Sequence, residues 1–429
     1  MSGGAGADPP PRAVVVAVGD ELLYGHTVNT NGAWLGQALS TLGLRVAKQE
    51  VVGDRREEIQ GAVARGLEVG DVVILTGGLG PTPDDLTRPA VAEYLGFDLH
   101  EDPTLVEVLR ERFRARGYDD VPPNNRKMAQ VPVGGGLLPN PVGAAPGLVF
   151  PLPEGRNVIL LPGIPGEMRG IFSGELVPFL RGLFGPRLLQ VFFRFIYTTG
   201  IPESLLAREL ELLIPGDLGP VTVSYLPDPR GVKIRLTAAG VGEAEAESRF
   251  EEMEERLEGL LRPYRYRAES GDLAQALGEA LMARGATVAA AESCTGGLIS
   301  KRITDRPGSS RYFLGGIVAY SDEGKMGLLG VSSEMLNREG AVSRPVAEAM
   351  ALGVAEGFGA TAGIGVTGVA GPDGGSEEKP VGTVWYAASL DGEVSVRMER
   401  FLGDREAVRE RAAQAAMALL LRILEGRSP

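Results

Sequence analysis

The first 183 residues alternate short apolar runs with segments in which apolar residues recur every three or four positions. The apolar runs Arg12–Val18, Arg45–Val52 and Asp71–Leu75 predict strands, while Thr30–Leu42 and Arg55–Glu68 have the spacing of helices. Strands that alternate with helices are typical of a doubly wound α/β domain with a mostly parallel sheet. We therefore predict such a domain over residues 12–183.

Residues 184–265 follow a different order. The pattern predicts a strand-rich run, a helix, two strands and a charged helix, in that order: Arg187–Thr199, Pro202–Leu213, Val221–Leu226, Val232–Ala238 and Glu243–Leu260. This β-α-β-β-α order is typical of a small α+β module of ferredoxin-like type. No residue in it indicates catalysis, so we interpret the module as a spacer or a dimerisation platform.

Strand and helix patterns alternate again over residues 266–429, which predicts a second α/β domain. The predicted elements include the helix Leu273–Arg284, the strands Ala286–Ala291, Phe313–Tyr320 and Thr361–Val366, and a last helix from Asp404. Between two apolar runs lies a long loop, Val366–Val384, with five glycines and two prolines. Glycine lets main-chain N–H groups approach a ligand closely, and long loops in compact domains are usually functional. The alternative is a plain turn rich in glycine and proline.

Composition restricts the partners of the chain. With 43 Lys and Arg against 56 Asp and Glu, the formal charge of the 429 residues is −13, which argues against a direct nucleic-acid partner. No apolar run approaches the ~20 residues of a membrane span. Residues 1–11 lack the apolar core of a signal peptide, so we expect a disordered tail there. A single cysteine, Cys294, fits a reducing cytosol, and we expect a cytoplasmic protein.

Histidine is scarce in a way that constrains the chemistry. The chain has two, His26 and His100, both in its first quarter. Any proton transfer in the last domain must therefore use Lys, Tyr, Asp or Glu from that domain.

Polar residues follow the predicted strands of the first domain, at the sheet edge where α/β folds bind ligands. Glycines after the third strand could cradle phosphate through backbone N–H groups, with Asp84 or Asp85 holding a divalent metal. The alternative is that Asp85 caps the next helix and Asp84 is solvated. The candidate ligand-binding residues are Asp20, Glu21, Asn31, Gly77, Gly78, Gly80, Asn125, Arg126 and Lys127.

These residues resemble the molybdopterin-binding-like domain at the front of CinA-family proteins. The matching pieces are Gly-Asp-Glu-Leu-Leu at 19–23, Asn-Thr-Asn at 29–31, Thr-Gly-Gly-Leu-Gly-Pro-Thr-x-Asp-Asp at 76–85, Ala-Pro-Gly at 145–147 and Leu-Pro-Gly-x-Pro-x-Glu-Met at 161–168. The resemblance implies hydrolysis of ADP-ribose with a divalent metal, with Co²⁺ or Mg²⁺ as candidates. Relatives of the fold bind molybdopterin or its adenylate instead.

The last domain resembles the nicotinamide mononucleotide deamidase at the end of CinA proteins. Its matching pieces are Ala-Glu-Ser-Cys-Thr-Gly-Gly at 291–297, Pro-Gly-Ser-Ser at 307–310, Ala-Tyr-Ser-x-Glu-x-Lys at 319–325, Gly-Ala-Val-Ser at 340–343, the stretch from Thr367 to Trp385, and Gly-Asp-Arg at 403–405. The resemblance implies conversion of nicotinamide mononucleotide to nicotinic acid mononucleotide and ammonia, in pyridine-nucleotide salvage. It also implies no cofactor for this reaction and a homodimer.

Amide hydrolysis needs a nucleophile, a base and donors for the oxyanion. Without imidazole, a serine activated by a desolvated lysine is the natural choice. By resemblance the pair falls on Ser310 and Lys325, with Tyr320 as an orienting or proton-relaying hydroxyl. The stretch between Ser310 and Lys325 could return the chain to the same sheet edge. Candidate substrate contacts are Ser293, Thr295, Thr367, Gly368 and Arg405, the last for the substrate phosphate.

Rival roles stay open at several of these positions. Ser293 or Thr295 could be the nucleophile or an oxyanion donor, whereas Cys294 fits a buried thiol better than a nucleophile. Thr367 could simply pack at a strand end, and Lys379 is either solvated or at the site. Two alternative functions also remain: a nucleotide-sensing adaptor linked to competence or recombination, and a molybdopterin-handling protein.

Overall fold

The computed structural model describes residues 9–214 and 219–427. Most of the predicted disordered tail, residues 1–8 of 1–11, lies outside the described residues. Contacts divide the chain into two compact units. Of the described residues, the first unit comprises 9–192 and 238–246, and the second comprises 193–214, 219–237 and 247–427.

The first unit is built on a six-stranded sheet with helices on both faces. Its strands are β1 Arg12–Val18, β2 Arg45–Val52, β3 Val72–Thr76, β4 Leu99–Glu101, β5 Gln130–Pro132, β6 Gly136–Leu138, β7 Gly147–Pro151 and β8 Asn157–Leu161. Its helices are α1 Asp20–Leu23, α2 Thr30–Leu42, α3 Arg56–Val69, α4 Thr87–Leu95, α5 Pro103–Arg114, α6 Pro123–Arg126, α7 Pro165–Ile171 and α8 Val177–Phe184.

The strand order of this sheet is β2-β1-β3-β8-β7-β6, with β4 and β5 forming a separate pair. The first four strands are parallel, and β7 and β6 are antiparallel. Side chains of β1 alternate between two cores: Val14 and Val16 belong to one, Ala13 and Val15 to the other. A strand buried on both faces reads as a continuous apolar run. The predicted doubly wound α/β domain is confirmed.

The second unit contains two sheets. Its strands are β9 Val191–Thr198, β10 Val221–Asp228, β11 Gly231–Ala239, β12 Arg265–Tyr266, β13 Val288–Glu292, β14 Phe313–Val318, β15 Ala362–Gly368, β16 Thr383–Leu390 and β17 Glu393–Arg400. Its helices are α9 Glu203–Leu213, α10 Glu243–Leu261, α11 Leu273–Arg284, α12 Leu298–Thr304, α13 Asp322–Leu329, α14 Ser333–Glu339, α15 Arg344–Phe358 and α16 Arg405–Leu424. Both β9 and β11–α10 run across the division between the units.

The smaller sheet has the order β10-β11-β9-β12 and carries the predicted small α+β module. Contacts group most of this module with the residues that follow it, in the second unit. Tyr266 on β12 is part of the hydrophobic core of the last domain, and Tyr197 on β9 packs against that core. The shared core joins most of the module to the residues that follow it.

The larger sheet has the order β14-β13-β15-β16-β17. Strands β14, β13 and β15 are parallel, and β16 and β17 continue the sheet in antiparallel order. One face is covered by α11, α12 and α16, the other by α13, α14 and α15. The predicted second α/β domain is confirmed. The helices α13 and α14 are additional to the predicted elements, because they are short and α13 contains two glycines, which weaken the helical pattern.

None of the helices in the described part of the chain combines the length and the apolar character that a membrane crossing would require.

Candidate functional site

The carboxyl ends of three parallel strands meet at one edge of the larger sheet. Glu292 at the end of β13 is in register with Val318 on β14 and Val366 on β15. The loops that follow these strands therefore lie side by side, as in other α/β sheets that bind ligands at this edge. They contain Ser293, Thr295, Tyr320 and the glycine-rich stretch.

The loop after β13 is held by a buried carboxylate. The Glu292 side chain is fully buried and accepts hydrogen bonds from the backbone N–H groups of Ile299 and Ser300, at 3.0 and 2.8 Å, and from the Ser300 hydroxyl at 2.7 Å. The N–H of Ser293 donates to the carbonyl of Val366 at 3.0 Å. Ser293 is 8% exposed, and Thr295 is fully buried with a hydroxyl that makes no hydrogen bond to the described residues. The loop thus presents two hydroxyls in a fixed backbone.

Lys325 lies in the first turn of α13, just after β14. The hydroxyl of Ser321 caps this helix by accepting from the N–H of Gly324 at 3.1 Å. The Lys325 side chain is 3% exposed, and its amine lies 3.7 Å from Asp322 Oδ1 and 3.5 Å from the carbonyl oxygens of Tyr320 and Ser321. Burial removes water from the amine, and because these contacts are long, the amine has no close carboxylate partner. It lies at the same sheet edge as Ser293, because Ala319 N donates to the carbonyl of Glu292 at 2.9 Å.

Arg405 joins three segments at this edge. It begins α16, whose N-terminus is capped by Asp404 through a 2.9 Å hydrogen bond from Ala407 N. Its guanidinium donates to the Tyr320 hydroxyl at 2.9 Å and to the carbonyl of Gly371 at 2.7 Å. The end of β14, the glycine-rich loop and the positive end of α16 are therefore in contact through one side chain.

The other predicted residues of the glycine-rich stretch make contacts within the protein. Thr367 is 1% exposed, and its hydroxyl donates a hydrogen bond to the carbonyl of Ala341 at 2.8 Å. This contact fits the alternative in which Thr367 packs at the end of a strand. Gly368 lies on β15, where an added Cβ would come within 2.8 Å of the carbonyl oxygen of Thr383. Lys379 donates to the carbonyl of Glu339 at 2.7 Å rather than remaining solvated.

Ser310 lies at the opposite end of the sheet from Lys325. It is exposed, in a short 3₁₀ turn that precedes β14, and Tyr312 O next to this turn accepts from Val288 N at the start of β13. The six residues of β14 separate this turn from the edge that carries Lys325, a distance of roughly 20 Å at ~3.3 Å per residue. The prediction that Ser310 and Lys325 meet is wrong within one chain, because the intervening strand carries the chain across the sheet.

Cys294 is a buried thiol rather than an activated one. It is 5% exposed, and burial raises its pKa to about 12, with a smaller contribution from the nearby Glu292 carboxylate. A thiol with this pKa is protonated at neutral pH, which removes the reactive thiolate. The structure agrees with the interpretation of Cys294 as a packing residue.

A second candidate site is a cavity of about 290 Å³ in the first unit, at the carboxyl ends of β1 and β3. Six of the predicted ligand or metal residues line it: Glu21, Asn31, Gly77, Gly78, Asp84 and Asp85. Asn31 donates to Thr76 Oγ1 at 3.1 Å and to the carbonyl of Gly163 at 2.7 Å, while its buried Oδ1 has no partner among the described residues. The cavity therefore combines glycine backbone with an unpaired buried acceptor.

Asp54 also lines this cavity and was missing from the predicted set. Its carboxylate accepts from the N–H of Asp20 at 2.9 Å. Burial raises its pKa, and the nearby carboxylates of Glu21, Asp20 and Asp84 raise it further. Asp54 follows the strand β2, so the rule that identified the other strand-end residues also applies to it.

Asp84 and Asp85, the predicted metal-binding pair, already make hydrogen bonds within the protein. Asp85 accepts from the N–H and hydroxyl of Thr82, at 2.7 and 2.6 Å, and the Thr82 hydroxyl also lowers the pKa of Asp84. Across residues 9–214 and 219–427, no group of three or more His, Cys, Asp or Glu side chains is placed to hold a metal ion. Mg²⁺ is often held by one or two carboxylates together with substrate phosphates. The cavity carboxylates fit that arrangement and not a preformed protein cage.

The other predicted residues of this domain lie beside the cavity wall or away from it. An added Cβ on Gly80 would meet the Asp85 carboxylate at 2.6 Å, so Gly80 allows the Asp85 contact. Arg126 pairs with Glu101, at 2.6 Å, and Lys127 donates to the carbonyl of Thr82. Asp20, Gly80, Asn125, Arg126 and Lys127 are not among the residues that line the cavity.

Three family profiles match successive parts of the chain. They are the probable molybdopterin binding domain at residues 14–182, the damage-inducible protein CinA KH domain at 194–266 and the CinA C-terminal domain at 270–424. A putative competence-damage inducible protein of Symbiobacterium thermophilum is 42% identical over 423 residues, which are 96% of this chain and 99% of the relative.

The chain belongs to the CinA family. A CinA-like protein of Salinibacter ruber is 44% identical over 95% of this chain and 98% of its own length. Among solved structures, the CinA protein of Thermoplasma acidophilum is 38% identical, with a TM-score of 0.37, over 41% of this chain and 98% of its own. The resemblance stated from the sequence motifs is therefore confirmed at the level of the family.

Proposed function

We propose that the last domain hydrolyses the carboxamide of nicotinamide mononucleotide, with Lys325 as the base and Ser293 as the nucleophile. The substrate follows from the resemblance to the deamidase. The observation that supports this proposal is the desolvated Lys325 amine at the same strand end as the Ser293 hydroxyl. Ser293 replaces Ser310 in this role because β14 separates Ser310 from the amine.

The chemistry requires a neutral amine at the moment of attack. Lys325 Nζ accepts the Ser293 proton while Ser293 Oγ forms a bond to the amide carbon, and the resulting ammonium then protonates the departing nitrogen. Ammonia leaves, and an ester joins Ser293 to the nicotinoyl carbon. Water, deprotonated by the same amine, hydrolyses this ester and regenerates Ser293. The unpaired Thr295 hydroxyl is the candidate donor to the oxyanion or the amide.

Arg405 is the candidate residue for the substrate phosphate. Its guanidinium stands at the positive N-terminus of the 20-residue helix α16. Guanidinium groups bind phosphate oxygens through two parallel hydrogen bonds, and a helix N-terminus adds to the attraction. In this proposal the phosphate replaces the present contacts of Arg405 with Tyr320 and Gly371, and Tyr320 orients the ring or relays a proton.

Ammonia release from nicotinamide mononucleotide tests the proposal. We expect Lys325→Ala to lower kcat by about a hundredfold or more and Ser293→Ala by about a thousandfold. Ser310→Ala is expected to keep the parent activity, as is Lys301→Ala, an exposed lysine that pairs with Asp305. If Ser310→Ala abolishes turnover and Ser293→Ala does not, the assignment of Ser293 is wrong. Ser310 would then have to reach the amine of a second copy of the chain.

The non-catalytic alternative has its own outcome in the same assay. An adaptor would bind nicotinamide mononucleotide, measured by calorimetry, without releasing ammonia. Turnover by the parent that Lys325→Ala loses excludes this alternative.

For the first domain we propose binding and hydrolysis of the diphosphate of ADP-ribose, with a divalent metal. The supporting observation is the cavity in which glycine backbone, the unpaired Asn31 acceptor and the carboxylates of Asp54 and Asp84 lie together. The metal would polarise the phosphate oxygens, and water would split the diphosphate into AMP and ribose 5-phosphate.

Metal-dependent AMP release is the corresponding measurement. We expect Asp54→Asn to lose it, whereas Asp119→Asn, outside the cavity, retains it. Pterin that copurifies with the protein, with no AMP release, would favour molybdopterin handling instead.

A further inference from the structure

The second unit contains a cavity of about 620 Å³ that is separate from the proposed deamidase site. Its walls are the loop 199–203, the hairpin 227–232, the end of β17 and one face of α16. Ser293, Thr295, Tyr320, Lys325 and Arg405 are not among the lining residues. The volume lies within the range of sites that bind small molecules, roughly 300–1,000 Å³.

The cavity is positively charged although the chain is acidic. Its lining contains five arginines against three carboxylates, an excess of two positive charges in a chain whose formal charge is −13. The arginines are Arg230, Arg397, Arg400, Arg411 and Arg422, and the carboxylates are Glu203, Asp228 and Glu399. A local positive region in an acidic protein attracts anionic ligands.

Two of these guanidinium groups, those of Arg400 and Arg422, have neither an ion-pair partner nor a hydrogen-bond partner among the described residues. The nearby Glu399 carboxylate accepts through Oε1 from the Tyr386 hydroxyl and makes no ion pair with either arginine. Guanidinium groups present paired donors that match phosphate oxygens. Arg400 and Arg422 are therefore free to bind an anion.

At the mouth of the cavity, the backbone at Gly200 allows the Arg422 guanidinium to approach closely. Gly200 has φ of +78°, and an added Cβ would lie 3.2 Å from Arg422 Nη2. The helix α9, of 11 residues, begins three residues later at Glu203 without a side-chain cap, and Glu203 lines the cavity. Its unpaired N–H groups add positive potential near Arg422.

One wall of the cavity can bind the part of a ligand that lies beyond its phosphate. Gln414 is 2% exposed and lines the cavity; its Oε1 accepts from Arg302 at 2.9 Å, and its Nε2 makes no hydrogen bond to the described residues. Phe401 and Leu419 line the same cavity and supply apolar surface. An unpaired buried donor beside apolar side chains suits a ring that carries a hydrogen-bond acceptor.

We propose that this cavity binds a small organic phosphate of nucleotide size, with its phosphate on Arg400 and Arg422 and its ring against Phe401 and Leu419. This site is distinct from the proposed deamidase and diphosphate sites and does not depend on their activities. A ligand here would contact both the small α+β module and α16, whose first residue is Arg405.

Hydrogen–deuterium exchange of the full-length protein tests the proposal with AMP as the probe. Local protection is the readout because other sites of the chain also fit nucleotides. We expect AMP to protect segments 199–206 and 397–422. In the double variant Arg400→Ala, Arg422→Ala the concentration for half-maximal protection should rise at least about tenfold, since each lost charge-assisted hydrogen bond weakens binding by that order.

Matched controls separate charge from general perturbation. Arg249→Ala, on α10 and outside the cavity, should behave as the parent. Adenosine, which lacks the phosphate, should give no protection of these segments at the same concentration. If the double variant does not fold, Arg400→Ala alone carries the test, because this side chain is exposed.

Several results would overturn the proposal. These are an absence of AMP protection in the parent, equal protection by adenosine, or protection that the arginine substitutions leave unchanged. Equal protection by inorganic phosphate would contradict a ligand of nucleotide size.

Discussion

The carboxylate of Glu292 provides the sharpest test of how the candidate site is built. Glu292→Ala removes the acceptor of two backbone N–H groups at the start of α12, which lie 3.0 and 2.8 Å from the carboxylate oxygens. The Ser300 hydroxyl, at 2.7 Å, can rotate toward another acceptor. Because Glu292 is fully buried, water does not readily replace the carboxylate.

Each buried donor that loses its partner costs about 1–3 kcal/mol, so the two N–H groups together cost roughly 2–6 kcal/mol. At 1.4 kcal/mol per factor of ten, the local opening of the segment should become about 30-fold to 10⁴-fold more frequent. We expect amide hydrogen exchange of residues 293–304 to accelerate accordingly. The proposed deamidase activity should fall with it, because the Ser293 backbone is anchored by the same loop.

Glu334→Ala is the matched control for this substitution. Glu334 is a glutamate on the helix α14, and its side chain is 87% exposed and lies 3.8 Å from Arg338. Exchange of residues 293–304 should be the same in this variant and in the parent. A rise of less than tenfold in Glu292→Ala would show that the carboxylate does not hold the loop.

Three further predictions concern the same domain. Cys294 should resist iodoacetamide at pH 8 in the folded protein and react after unfolding, because burial keeps the thiol protonated. Folding raises the pKa of this thiol from 9.0 to about 12, so the protonated thiol contributes to the free energy of unfolding. This contribution is complete below about pH 9 and is lost as the pH rises toward 12. Arg302→Ala should lower the free energy of unfolding by about 2–3 kcal/mol in denaturant titrations, because it leaves Asp272, 2.6 Å away and part-exposed, without its ion-pair partner. Unchanged stability would contradict this, and Arg338→Ala on the surface is the control. Gly382→Ala should lower the free energy of unfolding by about 1–3 kcal/mol or more, since φ of Gly382 is +93° and the added Cβ would lie 2.0 Å from the carbonyl oxygen of Phe401. A thermal unfolding midpoint equal to that of the parent would refute this prediction.

The strands and helices of the two α/β domains were predictable from the sequence because their periodicity is local. The observed bounds of Arg12–Val18, Thr30–Leu42 and Leu273–Arg284 agree with the predicted ones. Strands buried on both faces and helices with one apolar face can be recognised directly from the order of apolar and polar residues. The family motifs added the expected activities, which remain proposals.

The strand-end rule predicted which candidate residues lie together in the first domain, but it did not predict their hydrogen-bond partners. Glu21, Asn31, Gly77 and Gly78 line one cavity, as the shared end of parallel strands predicts. The same rule applies to Asp54, which no motif contains. The hydrogen bonds that use the Asp85 carboxylate and the Thr367 hydroxyl depend on neighbours fixed by folding.

The residue order thus determined the α/β architecture and the set of polar residues from which a site can be made. Only the tertiary structure decided that Ser293, rather than Ser310, shares a sheet edge with Lys325. The reason is geometric: motifs record which residues are present, whereas a strand between two residues places them at opposite ends of a sheet. The arginine-lined cavity is likewise a product of folding, since Gly200, Arg400 and Arg422 are distant in sequence and meet only when β17, α16 and the loop before α9 pack together.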